Sequence, residues 1–271
     1  MRHINERFVE DLLCGDLQYF FKKVKSNRET LSLEIRNGYI NIYYKGGNLL
    51  KITQKKKGYS FHFDAKYCKH KDNDVNFELL NNLQNDDIES YKKHFELMIQ
   101  EMDSWFKKNP KPERDYQHQL LVHNPEIVDI EYQVGKCMRL DMLYFVNNKL
   151  FIVENKYGTG AIGGGAGLSK HYDDICKVLN DSVLLDEMID SVCHISQDKK
   201  ALGLRDFSIE KTDIKSIEIL FLLANYNLKS QSYSNELDKM DGSVPASILM
   251  TTSKQFKINL NEAENIFANE N

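Results

Sequence analysis

The apolar residues of this chain recur with two rhythms, and each change of rhythm marks an element. Between residues 5 and 24, Phe8, Leu12, Leu13, Leu17, Phe20 and Phe21 fall at helical spacing, which predicts one amphipathic helix. Four alternating runs follow: Thr30 to Ile35, Tyr39 to Tyr44, Leu49 to Lys55 and Tyr59 to Phe63. Asn37-Gly38, Gly46-Gly47 and Gly58 separate them. Short runs broken by such turn signals predict an antiparallel meander. Helical spacing returns at Ile88, Tyr91, Phe95, Met98, Ile99, Met102, Trp105 and Phe106. Asn109-Pro110-Lys111-Pro112 ends that helix, because proline cannot continue it, and Pro112 suits the first turn of another, Glu113 to Leu121.

The second half changes character. Ile127 to Val134 alternates as a strand does, and Arg139 to Lys156 reads as two strands rich in β-branched and aromatic residues, joined at Asn147-Asn148. Asparagine tolerates the left-handed backbone that a two-residue hairpin turn requires. Leu143, Phe145, Met142 and Tyr144 on one strand, and Leu150, Ile152, Phe151 and Val153 on the other, leave both faces apolar. The sheet is therefore expected to be covered on both sides. Helical segments follow, one with the stripe Leu168, Tyr172, Ile175 and Leu179 and one over residues 182 to 193, and Ile217 to Ala224 is apolar enough for a buried strand. Residues 229 to 271 are polar with little pattern. Together these elements predict an α/β fold, a mixed β-sheet flanked by helices. A small N-terminal α+β unit, residues 1–85, precedes a second domain, 86–271, with the boundary drawn near Asp86 in the polar stretch Asn81 to Asp87.

Charge adds chemistry to the hairpin. If Asn147 and Asn148 form the turn, Val146 faces Lys149, Asp141 faces Glu154 and Arg139 faces Lys156. Opposed carboxylates stand roughly 5 Å apart at Cβ and repel. Lys156 points to the same face as Glu154 because side chains alternate along a strand. Two accounts relieve the repulsion: Lys156 neutralises its neighbours at an exposed sheet edge, or a hard cation such as Mg²⁺, commonly held by one or two carboxylates, sits between them.

Composition narrows the class without choosing the chemistry. The chain has 271 residues, 41% hydrophobic and 28% charged, which suits one or two globular domains with full cores. No apolar run reaches membrane-spanning length and the first residues lack an apolar signal core, so a cytoplasmic protein is expected. Five scattered cysteines, Cys14, Cys68, Cys137, Cys176 and Cys193, form no C-x-x-C pair and argue against a disulfide framework. Cys68 with His70, or Cys193 with His194, offers two zinc ligands where a structural site needs four. A net charge of −4 gives no bulk attraction to nucleic acid, so any binding must come from a local basic surface. Lys55, Lys56 and Lys57, with Lys66, Lys69 and Lys71, suit phosphate contacts or an ordinary solvated tip.

Asp141, followed after a short hairpin by Glu154-Asn155-Lys156, resembles the PD-(D/E)XK nuclease superfamily, whose motif is an acid on one strand and acid-X-Lys on the next. The order helix, three strands, helix, strand from Pro112 to Ala224 matches the αβββαβ core of that superfamily. Leu140 stands where the motif has proline, a departure that leaves the acidic chemistry intact. The resemblance covers roughly the second half of the chain.

It implies a metal-dependent nuclease acting on nucleic acid, most readily a DNA endonuclease, of the kind that serves restriction or anti-phage defence. Asp141, Glu154 and the backbone carbonyl of Asn155 would bind Mg²⁺ or Mn²⁺, and Lys156 would orient the attacking water or neutralise developing charge. Glu113 is the only match for the further glutamate that superfamily members carry on the preceding helix. An ordinary helix N-terminal acid explains it equally well. The loop with Gly158, Gly160, Gly163, Gly164, Gly165 and Gly167 reads either as a substrate gate or as a permissive connector, and the helix start behind it could meet a phosphate. The alternative is a catalytically inactive nucleic-acid- or protein-binding module on the same fold. Residues 1–85 are expected to govern substrate choice, a protein partner or a homodimer contact.

Overall fold

The computed structural model of the chain describes residues 1–69, 75–135, 138–158, 162–163, 167–226 and 231–267. Its residues cluster into two units. One comprises Arg2–His118 with Gln197–Phe207, the other Gln119–Ser196 with Ser208–Asn271.

In the N-terminal unit the expected single helix is two, α1 (Glu6–Leu13) and α2 (Gln18–Ser26). Gly15 makes the break: a Cβ there would lie 2.3 Å from Asp11 Oδ1 and 2.8 Å from Asp11 Cα, so the chain turns where only glycine fits. The meander is as expected. Strands β1 (Leu31–Ile35), β2 (Tyr39–Tyr44), β3 (Gly47–Gln54) and β4 (Tyr59–His62) pair in sequence order, all antiparallel. A short helix α3 (Val75–Asn81) and the long α4 (Ile88–Lys108) follow, the latter capped by Asp87, whose carboxylate accepts the Ser90 N–H.

The expected boundary near Asp86 is displaced, because α4 belongs to this core. Its buried stripe of Tyr91, Phe95, Met98 and Met102 meets the sheet and α2: Phe95 lies 5.7 Å from Phe20 and Tyr91 lies 5.2 Å from Phe61, ring to ring. A Cβ on Gly47 of β3 would stand 2.7 Å from Phe106 and 2.8 Å from Met102, which measures how closely helix and strand approach. A chain cut at Asp86 would strip α4 of the surface that buries its apolar stripe. The polar stretch from Asn81 to Asp87 looked like a linker only because packing is invisible in sequence.

The second unit is built on a six-stranded sheet. After α5 (Pro112–His123), whose final residues belong here, come β5 (Ile127–Val134), β6 (Met138–Val146), β7 (Lys149–Tyr157), α6 (Leu168–Asn180), α7 (Ser182–Ala201), β8 (Ser216–Ala224), α8 (Gln231–Leu237), β9 (Ala246–Thr251) and a two-residue β10 (Glu264–Asn265). The spatial order is β10-β9-β8-β7-β6-β5. β5, β6 and β7 form an antiparallel meander, whereas β7, β8 and β9 run parallel. The mixed sheet flanked by helices is thus the expected class, with β9 and β10 added from the segment that showed no pattern. Tyr172 of α6 pins the approach to β9 by donating to the Val244 carbonyl at 3.0 Å and accepting its N–H at 2.9 Å.

Two buried groups give this fold measurable liabilities, both within the N-terminal unit. Lys199 Nζ donates to Glu34 Oε2 at 2.8 Å with both side chains buried, tying the 197–207 segment to β1. Lys199→Met leaves Glu34 as an uncompensated buried charge and should cost about 3–5 kcal/mol in urea unfolding. The double variant with Glu34→Leu should recover most of that loss. His118 donates Nε2–H to the Glu29 carbonyl at 2.9 Å while its buried Nδ1 finds no hydrogen-bond partner among the described residues. Burial holds its pKa below the usual value of 6.5, outweighing the Glu29 bond and nearby Asp115. Because the unfolded chain binds this proton more readily, stability is complete above about 6.5 and falls as pH drops toward the depressed folded value. Unfolding midpoints at pH 8 and pH 5 should therefore differ less in His118→Gln than in the parent.

Candidate functional site

The hairpin turn has the predicted chemistry: Asn147 (φ 51°) and Asn148 (φ 62°) are both left-handed, as a type I′ turn demands. The β6–β7 ladder runs from Val146↔Lys149 to Met142↔Val153, the expected register, one step short of the Asp141–Glu154 pair. There the main-chain ladder stops. The Asn155 N–H is taken instead by the Asp141 carboxylate, Oδ2 at 3.0 Å. The expected pairing of Arg139 with Lys156 is not formed either: Arg139 pairs with Gln133 on β5, and its guanidinium lies 3.3 Å from Glu131. Glu131 itself has φ 50°, a left-handed residue within a strand beside the site.

Alternation along β7 puts Ile152, Glu154 and Lys156 on one face. Their parallel neighbours on β8 are Ile219, Phe221 and Leu223, all fully buried. Charges in such surroundings need partners, and here they have them. Lys156 Nζ donates to Glu154 Oε1 at 2.9 Å and stands 2.9 Å from His171 Nε2, while His171 Nδ1 lies 3.2 Å from the same Glu154 oxygen. An ammonium only donates, so Nε2 must accept, which puts the imidazole proton on Nδ1. Burial, and then the Lys156 charge, hold the His171 pKa below its usual value against the opposing pull of Asp141, in keeping with a neutral ring. Glu154, Asn155 and Lys156 are buried and Asp141 is half-buried.

His171 is the residue that sequence reasoning missed. It sits in the first turn of α6, whose start is held by another carboxylate: Glu236 Oε2 accepts the Ser169 N–H at 3.1 Å and the Ser169 hydroxyl at 2.7 Å. Burial pushes the Glu236 pKa up, but the bonds from Lys239 and Ser169 outweigh it and hold the group below its usual range. The expectation that this helix start meets a phosphate is thereby corrected, since Glu236 already supplies the anion. Asp129, fully buried on β5 opposite Leu143, shares the face of Asp141 and was also passed over. A charge inside the run Val128-Asp129-Ile130 was its one visible signal.

The remaining candidates are dispersed. Glu113 is exposed in the first turn of α5 and clusters with the N-terminal unit. Gly160, Gly164, Gly165, His70, Lys71 and Cys137 lie outside the described residues. Lys55, Lys56 and Lys57 are exposed at a turn, and Lys66 pairs with Asp64 at 2.6 Å. Cys14, Cys68, Cys176 and Cys193 take part in no disulfide among the described residues. Among the described residues no group of three or more His, Cys, Asp or Glu side chains is arranged to hold a metal ion. Two oxygen-donor carboxylates on adjoining strands nevertheless suit a hard cation that keeps several waters and needs one or two protein carboxylates. The donor set therefore fits Mg²⁺ better than zinc, which prefers nitrogen and sulfur in a closed tetrahedron.

The chain matches no protein-family model, no curated protein and no solved structure. No helix among the described residues is long and apolar enough to cross a membrane.

The packing at the start of α6 is testable. Gly167 has an ordinary extended backbone, yet a Cβ there would lie 2.4 Å from Glu236 Oε2 and 2.8 Å from the Ile162 carbonyl. Gly167→Ala should lower stability by about 1–3 kcal/mol through overpacking, read as a shifted denaturant midpoint.

Proposed function

We propose that this chain is a metal-dependent nuclease that hydrolyses phosphodiester bonds of nucleic acid, with DNA as substrate and the cytoplasm as its place of action. The observation that carries the reading is the meeting of Asp141, Glu154 and Lys156 on one face at the end of a hairpin whose register follows from its Asn-Asn turn. The likeness of these residues to the PD-(D/E)XK motif, on a mixed sheet in the order helix, three strands, helices, strand, supports it further.

In this mechanism Asp141 and Glu154, with the Asn155 backbone carbonyl, would hold Mg²⁺ or Mn²⁺. The bound ion supplies an acidified water and offsets negative charge on the phosphate oxygens. Asp141 is already oriented for this work by the Asn155 N–H. Lys156 is held at the Glu154 carboxylate, where an ammonium can orient the attacking water or stabilise charge that develops on the phosphate. The apolar flank of Ile219, Phe221 and Leu223 lowers the local dielectric and strengthens each of these interactions.

Purified full-length chain should nick or linearise plasmid DNA with Mg²⁺ or Mn²⁺ and stop on addition of EDTA. Lys156→Ala should lose about 100- to 1,000-fold in rate, the scale of one preorganised electrostatic contact, and keep its affinity for DNA. Asp141→Asn should abolish both cleavage and the rise in melting temperature that Mg²⁺ gives by mass action. Cleavage by Lys156→Ala at the parent rate would end the assignment. Binding without cleavage in the parent chain would favour the inactive-module alternative.

A further inference from the structure

We propose that His171 is a positioning residue for Lys156: with Glu154 it forms a two-point clamp that aims the remaining ammonium N–H out of the cluster. The catalytic consequence rests on the nuclease reading, whereas the clamp does not. A lysine side chain is a flexible four-carbon stem with three rotatable donors. Left alone it would sample many arrangements. Here Nζ is tied at 2.9 Å to Glu154 Oε1 and at 2.9 Å to His171 Nε2. The imidazole Nδ1 stands 3.2 Å from that same oxygen. Two of the three ammonium donors are thus spent, and the third has no partner among the described residues.

The clamp is mounted on two rigid supports. Glu154 and Lys156 lie on β7, inside the sheet between β6 and β8. His171 is delivered by the first turn of α6, which Glu236 caps through Ser169 and where Gly167 packs without room for a side chain. The helix therefore has little freedom to carry His171 away from Lys156. A histidine suits the place because a neutral ring offers the ammonium an acceptor nitrogen on a rigid group.

Two variants and two readouts test this. His171→Leu removes both contacts, and His171→Gln retains an acceptor and a donor on its amide. With plasmid DNA and saturating Mg²⁺, His171→Leu should lower kcat by about 10- to 100-fold, the range for residues that orient a metal site's ligands, with KM for DNA within about twofold, since uniform binding is untouched. His171→Gln should recover most of that loss. The second readout needs no cleavage: hydrogen exchange of the Lys156 ammonium, followed by NMR in metal-free protein. It should be slow in the parent and at least about tenfold faster in His171→Leu, as expected for a lost hydrogen bond to a charged group. Exchange unchanged in His171→Leu overturns the clamp, whether or not the protein cuts DNA. A parent chain that cuts no nucleic acid but shows the exchange difference retains the clamp and loses the nuclease reading. Accelerated exchange with undiminished kcat overturns the positioning role.

Discussion

The second unit depends on the burial of a carboxylate and an ammonium beside apolar β8. Glu154 and Lys156 sit against Ile219, Phe221 and Leu223, where an unpaired charge would be untenable. The unit answers with a set of contacts: Lys156 to Glu154, Lys156 to His171, and His171 near Glu154. Replacing such a set by hydrocarbon is often neutral or stabilising, so stability alone does not account for its presence.

That constraint propagates outward. To keep His171 over the strand, α6 must start at one place, and its start is held by the Glu236 carboxylate from α8, with Lys239 at 2.6 Å on its other oxygen. The C-terminal segment is thus part of the architecture of the site. Tyr172, the next residue of α6, bonds both the N–H and the carbonyl of Val244 and so fixes the lead-in to β9. Asn124, just beyond α5, does the same for the tail, bonding the Phe256 carbonyl at 2.7 Å and the Ile258 N–H at 2.8 Å.

The N-terminal unit follows the same rule in a different place. Its sheet is covered by α4, which the sequence pattern assigned to the other domain, and its buried Glu34 is neutralised by Lys199, far along the chain. Division by composition put the boundary in the polar stretch before Ile88. Division by packing puts it at His118, because aromatic contacts of Phe95 with α2 and of Tyr91 with the meander bind α4 to this unit.

What was legible from sequence alone was local. The meander, the long helix, the αβββαβ order and the hairpin register all follow from period, turn residues and alternation, which act over a few residues. The Asn147-Asn148 turn alone brings Asp141 toward Glu154, and alternation puts Lys156 beside them. Tertiary structure decided the rest. That His171 completes the cluster, that Glu236 occupies the start of α6, and that Glu113 lies in the other unit all depend on contacts between residues distant in sequence. So does the joining of Lys199 to Glu34. The strand β9 was hidden for a related reason: Ala246-Ser-Ile-Leu-Met-Thr is too short and mixed to announce itself, and it becomes a strand only because β8 offers it an edge to pair with.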